Sequence, residues 1–142
     1  MEREVADFVN SSREEMIDLV TDLIRLPTIN PPGEKFADFV DFVADWLKNA
    51  GLEVNKFEVP NEELGKLVPS GMNFPRMSIC GKIKGVDEHP ALCLNGHYDT
   101  VRPTAAWTRN PLETVIERGR IHGLGTIDMK GSIAAMMLLQ RH

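Results

Sequence analysis

Cysteine is scarce in this sequence, and its spacing excludes two familiar kinds of site. The chain has 142 residues but only two cysteines, Cys80 and Cys93, so it can form neither a zinc ribbon nor a redox CxxC motif. Both cysteines lie in apolar runs that are typical of strands. We therefore expect reduced, buried thiols in a cytoplasmic protein.

Long apolar runs and an excess of basic residues are missing as well. The longest clean apolar run covers residues 133–139, far short of the roughly 20 residues that a membrane span needs. The first residues contain no apolar stretch, so no secretory signal is expected. The net charge of −5 argues against nucleic acid or an anionic membrane as a partner.

The composition is that of one globular domain. Apolar residues make up 42% and charged residues 26% of the chain, which is enough apolar material to supply a core. The length leaves room for a single domain.

Two amphipathic helices are predicted in the first part of the chain. Apolar residues recur at helical spacing over residues 12–26, and Ser11 or Ser12 can begin a capping box. A stiff, proline-rich loop follows. The second helix covers residues 34–50, and Gly51 occupies the position of a left-handed C-terminal cap.

Shorter runs with a period of two predict strands. Residues 52–59 and 77–83 alternate, while residues 60–75 between them are typical of a surface insertion. The uninterrupted apolar run over residues 91–94 predicts a strand that is buried on both faces. A short hairpin is predicted over residues 114–121.

The last predicted helix begins near Asp128 and is apolar on nearly every side over residues 133–139. Such a helix must be buried on most sides. No later element of the sequence covers it. We therefore expect an α/β fold with a mixed sheet flanked by helices, truncated to the N-terminal part of a longer protein. The alternative is that a second copy of the chain covers the helix.

The most informative stretch follows the apolar run directly: Leu94-Asn-Gly-His97-Tyr-Asp99-Thr-Val101. Ligands of open α/β sheets bind beyond the carboxyl ends of strands. In an extended segment His97 and Asp99 share a face. One imidazole nitrogen can then bind a metal while the carboxylate holds the other. The simpler alternative is that His97 caps a strand and Asp99 caps a turn.

A second stretch places a carboxylate at a junction of loop and helix. In Gly119-Arg-Ile-His-Gly123-Leu-Gly125-Thr-Ile-Asp128-Met-Lys-Gly131 the glycines form a flexible turn. Asp128 is then either an ordinary N-cap or a metal ligand presented by the turn. Neither phosphate-loop motif is present. Lys130 is interpreted as a surface charge, and His122 as a surface residue that could also line the site.

Together these stretches resemble a known family. The signature His97-x-Asp99-Thr-Val, Trp107, Pro111, Gly119-Arg120 and Gly123-x-Gly125-x-x-Asp128-Met-Lys-Gly131 is similar to that of the metal-dependent acetylornithine deacetylase, succinyl-diaminopimelate desuccinylase, aminoacylase and carboxypeptidase family. The early loop Pro27-Thr-Ile-Asn-Pro-Pro-Gly33 also resembles the first loop of that family. The resemblance covers nearly the whole chain in the right order.

The resemblance implies a fold and roles for three residues. Residues 1–142 would be the N-terminal portion of a zinc-peptidase-like catalytic domain. His97 would bind one metal ion, Asp128 would bridge two, and Asp99 would orient His97 and count as catalytic. Family members hold two divalent ions, most often zinc with cobalt as an alternative, and hydrolyse amide bonds of acylated amino acids or small peptides by a metal-activated water.

This sequence departs from the family pattern downstream of Asp128. The glutamate pair, the further carboxylate, the final histidine, and the lid or dimerisation domain do not occur in it. We therefore expect the isolated chain to be inactive and to need its C-terminal part or a partner chain. Formation of a homo-oligomer is also expected. A non-catalytic or split-enzyme module that binds a full-length homologue is the alternative, and a single-site metal-binding domain is a third.

Overall fold

The computed structural model describes residues 2–69, 72, 74–87 and 89–140, and these residues form five α-helices and two two-stranded sheets. The helices are α1 (Glu2–Ser11), α2 (Arg13–Arg25), α3 (Phe36–Asn49), the short α4 (Asn61–Leu67) and α5 (Gly131–Leu139), of which α2, α3 and α5 form the core. The strands are β1 (Glu53–Glu58), β2 (Met77–Lys82), β3 (Val115–Glu117) and β4 (Arg120–His122). The kinked turn Thr126–Lys130 leads into α5.

The core forms because the apolar stripe of α2 packs against α5 while that of α3 packs against β1 and β2, and their buried residues make one cluster. The buried side chains of this cluster are Leu19, Val20, Leu23, Ile24, Phe39, Val43, Leu47, Leu52, Ala134, Met137 and Leu138. Burial of such side chains stabilises each by roughly 1.5–3 kcal/mol relative to exposure. The two helices predicted from periodicity are therefore confirmed. The predicted capping boxes are wrong, because Ser12 makes no side-chain cap and the Ser11 hydroxyl donates to Phe8 O.

The strands pair locally. β1 and β2 are antiparallel, with Glu53 opposite Lys82 and Glu58 opposite Met77. β3 and β4 form the predicted hairpin, and positive φ angles at Arg118 and Gly119 match the twist of a tight hairpin turn. Helix α4 lies within the stretch expected to be a surface insertion.

A parallel contact joins the loop after α2 to the segment that follows residue 97. Ile29 and Thr100 form a parallel bridge. The predicted mixture of parallel and antiparallel pairing is present in this limited form, as two antiparallel ladders and one parallel bridge.

The prediction of a buried strand over residues 91–94 is wrong for this structure. Within the described residues no backbone group pairs with this run, and Leu92 is 86% exposed. Cys80 and Cys93 are exposed as well, which corrects the expectation of buried thiols. An apolar run becomes a buried strand only where neighbours cover both faces, and no described element covers this one.

Helix α5 is half-covered. Its Ala134, Met137 and Leu138 face α2 and the core, while Leu139 is exposed. Among the described residues, no helix is both long and apolar enough to cross a membrane.

Candidate functional site

Backbone hydrogen bonds fix the segment that carries His97 and Asp99. Thr100 N donates to Thr28 O at 2.9 Å, and Asn30 N donates to Thr100 O at 2.8 Å. The fully buried Thr28 also donates its hydroxyl to Tyr98 O at 2.5 Å. The loop after α2 therefore holds residues 98–100 along their length.

Side chains alternate along this segment. Tyr98 turns inward, where its ring stacks on Phe39 at a centroid distance of 4.7 Å and its hydroxyl donates to Met77 O at 2.7 Å. Burial raises the pKa of Tyr98 to about 12. His97 and Asp99 lie on the other side, so the prediction that they share a face agrees with the structure.

His97 lies between two carboxylates. Its Nδ1 is 3.1 Å from Asp99 Oδ1, and its Nε2 is 2.8 Å from Asp128 Oδ1. The hydrogen bond with Asp128 raises the pKa of His97 above its ordinary value, against a smaller opposing effect of burial. The side chains of residues 97 and 128, 31 positions apart in the sequence, therefore converge, and Asp99 holds the other ring nitrogen.

Asp128 is presented by the turn and does not cap a helix. Its φ and ψ of −130° and 91° are non-helical, and α5 begins three residues later, at Gly131. Neither the turn Thr126–Lys130 nor α5 has a side-chain cap at its N-terminus, so the N-cap interpretation is wrong. The side chain of Asp128 is 81% exposed, and its hydrogen bond is the one with His97 Nε2.

Asn30 is a member of the site that the sequence interpretation missed. Its Nδ2 donates to Asp99 Oδ2 at 3.1 Å, so the carboxylate that orients His97 is itself oriented. In the sequence, Asn30 is marked only by its place in a proline-rich loop. Its partner Asp99 lies 69 positions away, and no local sequence pattern predicts a contact over that distance.

Lys130 is buried, which corrects its interpretation as a surface charge. It is 1% exposed, and its Nζ donates to Leu23 O at 2.8 Å and Leu26 O at 2.6 Å. Its Nζ also lies 5.6 Å from the centroid of the Phe39 ring. Burial lowers the pKa of Lys130 to about 8.

An open cleft of about 480 Å³ lies beside these residues. Its lining includes His97, Asp99 and Asp128 together with Trp107, His122 and the glycine turn. His122 thus lines the cleft as well as being exposed, while Trp107 forms part of the wall. The volume is within the range of small-molecule sites.

The donor set fits part of a metal site. An imidazole nitrogen and a carboxylate oxygen are ligands that zinc and cobalt accept. Within the part of the chain that the structure describes, no group of three or more histidine, cysteine, aspartate or glutamate side chains could hold an ion. Catalytic zinc normally has three protein ligands, so His97 and Asp128 would supply two of them.

Comparisons with known proteins agree with this arrangement. Residues 93–142 match the model of peptidase family M20/M25/M40. N-formyl-4-amino-5-aminomethyl-2-methylpyrimidine deformylase of Halalkalibacterium halodurans is 28% identical over 97% of this chain and 30% of its own length. The enzyme of the same name from Bacillus subtilis is 29% identical over 91% of this chain and 28% of its own length.

The fold is also that of a solved structure. The crystal structure of human carnosine dipeptidase 1 superposes with a TM-score of 0.77, at 17% identity, over 98% of this chain and 30% of that one. The predicted fold class is thereby confirmed. The chain spans about 30% of the length of the curated relatives it matches. The resemblance inferred from the sequence is confirmed: residues 93–142 match the model of peptidase family M20/M25/M40, and the chain is similar to part of the length of two deformylases and a dipeptidase.

Proposed function

We propose that this chain is the N-terminal part of the catalytic domain of a metal-dependent amidohydrolase. The reaction would be attack of water on the amide carbonyl of an N-acylated small molecule or a small peptide, giving a carboxylic acid and a free amine. The names of the relatives support this class, since one removes a formyl group and the other cleaves a dipeptide.

The observation that carries the proposal is His97 held between Asp99 and Asp128. With Asp99 on Nδ1, the Nε2 atom is directed towards Asp128, and a fixed imidazole beside a carboxylate is the start of a zinc or cobalt site. His97 and Asp128 would hold the metal, and Asp99, itself held by Asn30, would fix the orientation of the ring. A bound metal of this type acidifies water and polarises the carbonyl.

The remaining parts of the site would come from outside these residues. The cleft is open, and the described residues supply two ligands. The other ligands, the general base and the lid would belong to a C-terminal part, in the same polypeptide or in a partner chain. Homo-oligomer formation remains part of this proposal.

A non-catalytic or split-enzyme module is the second candidate, and a specific observation favours it. Leu92 is 86% exposed and Val86 fully so, in a segment without described backbone partners. A partner that adds a strand along this segment would cover both side chains and satisfy the backbone groups.

Paramagnetic broadening by Co²⁺ tests the metal assignment in the chain alone. We expect the backbone amide signals beside His97 and Asp128 to broaden first, at Co²⁺ concentrations above micromolar because two protein ligands bind weakly. His97→Ala should remove the effect and Asp128→Asn should weaken it. His89→Ala, at an exposed turn, is the matched control and should bind as the unchanged chain does. Broadening that persists in His97→Ala would contradict the assignment.

Turnover measurements test the enzyme proposal. The chain alone, with zinc or cobalt added, should not hydrolyse N-formyl or N-acyl substrates. A chimera in which this chain replaces the matching part of the Bacillus subtilis deformylase should hydrolyse an N-formyl substrate, and the same chimera with His97→Ala should not. A folded chimera that binds metal but is inactive would count against the enzyme. Turnover by the chain alone would refute the need for a further part.

A further inference from the structure

Lys130 contributes a buried cation that the proposed chemistry does not use. The ammonium group of Lys130 lies at the carboxyl end of α2, where Leu23 O and Leu26 O both accept hydrogen bonds from it. The last carbonyls of a helix have no partners within the helix. A cation at that end also interacts favourably with the helix dipole. This placement explains why a lysine can be buried there.

The two acceptor carbonyls, Leu23 O and Leu26 O, lie just before the loop that holds the segment carrying His97 and Asp99. Leu26 O also accepts the hydrogen bond from Thr28 N at 2.9 Å. Thr28 and Asn30 then hold residues 98–100, and Asn30 holds the carboxylate of Asp99. Lys130 is therefore bonded to the first residues of the loop that positions Asp99.

The backbone of Lys130 ends the turn that holds the other half of the site. Lys130 N donates to Gly125 O at 2.8 Å, which closes the turn around Asp128. The aliphatic stem of Lys130 passes close to Gly125. A single buried residue thus joins the turn that carries Asp128 to the loop that holds Asp99.

We infer that Lys130 is a positioning residue that sets the distance between Asp128 and the His97–Asp99 pair by tying their two supporting loops to the end of α2. This inference rests on the proposed function for the meaning of the site, and on the hydrogen bonds above for the coupling. Lys130 touches neither the cleft nor a ligand; it acts through the backbone.

The structure offers a readout that needs no metal. The Met129 methyl group lies against Gly96, since a β-carbon built on that glycine would be 2.9 Å from Met129 Cε. A nuclear Overhauser effect between the Met129 methyl and the Gly96 α-protons therefore reports whether the turn remains against the segment that carries His97.

The test compares Lys130→Met with Met137→Ala. Lys130→Met keeps a buried apolar stem and removes both hydrogen bonds to Leu23 O and Leu26 O. Met137→Ala opens the same core from α5 but leaves those bonds intact, so it controls for loss of packing. We expect Lys130→Met to lose the Met129–Gly96 effect and to bind Co²⁺ about 10-fold more weakly, as when groups that orient metal ligands are removed. Met137→Ala should retain both.

Each outcome decides the inference. If Lys130→Met keeps the Met129–Gly96 effect, or if Met137→Ala loses it equally, Lys130 is only a packing residue and the inference is overturned. Should Lys130→Met not fold, Lys130→Gln, which keeps a shorter donor, is measured instead. A weaker Met129–Gly96 Overhauser effect in Lys130→Gln supports the inference, and an unchanged Overhauser effect overturns it. If the unchanged chain binds no Co²⁺, the proposed function fails, while the Overhauser measurement still decides the role of Lys130.

Discussion

The hydroxyl of Thr28 is the contact whose removal should be most informative about the fold around the site. Thr28 is fully buried, and its Oγ1 donates to Tyr98 O at 2.5 Å. In Thr28→Val a methyl group replaces the hydroxyl with little change of shape, so the Tyr98 carbonyl loses this donor. A buried acceptor left without its partner costs about 1–3 kcal/mol. We expect the free energy of unfolding to fall by that amount.

Urea denaturation followed by tryptophan fluorescence measures this change. The backbone bonds between Thr28 and Thr100 do not involve the replaced hydroxyl, so the dependence on urea concentration should keep its slope and only the midpoint should fall. Thr104→Val, at an exposed position, is the matched control and should stay within about 0.5 kcal/mol of the unchanged chain. An equally small effect of Thr28→Val would refute the reasoning that this hydroxyl ties the loop to the site segment.

Three further predictions concern separate features. Tyr98 is the sole tyrosine, so absorbance at the phenolate band should give a titration midpoint near pH 12 in the native chain and near pH 10 in urea. Because the unfolded chain releases this proton first, the free energy of unfolding should fall as pH rises between those values. A native midpoint near pH 10 would contradict the burial of Tyr98. Gly125→Ala should lower the free energy of unfolding by about 1–3 kcal/mol, because φ at Gly125 is +79° and the new methyl group would collide with Thr100. The control Gly65→Ala in α4, which has open space around it, should not destabilise the chain. Equal effects of the two substitutions would show that the φ angle is not the cause. Both Cys80 and Cys93 should react with a thiol reagent without denaturant, and protection of either would restore the expectation of burial.

Local patterns predicted several elements correctly because neighbouring residues determine them. The apolar repeat of α2 and α3 is a property of residues three and four positions apart. Gly51 adopts a positive φ of 87° after α3, as its place at a helix end predicted. The shared face of His97 and Asp99 follows from the period of an extended chain.

Other features depended on contacts between distant parts of the chain. The burial of Lys130 requires the carboxyl end of α2, more than 100 positions away. The exposure of residues 91–94 depends on which elements lie beside them, and an apolar run alone cannot reveal that.

The amino-acid sequence by itself determined the helices of the core, the hairpin, the turn before α5 and the choice of His97, Asp99 and Asp128 as candidates. Only the tertiary structure decided that His97 lies between both carboxylates, that Asn30 holds Asp99 and that Lys130 links the two loops. The physical reason is that periodicity and turn chemistry act over a few residues, whereas these contacts join segments that meet only after the helices have packed.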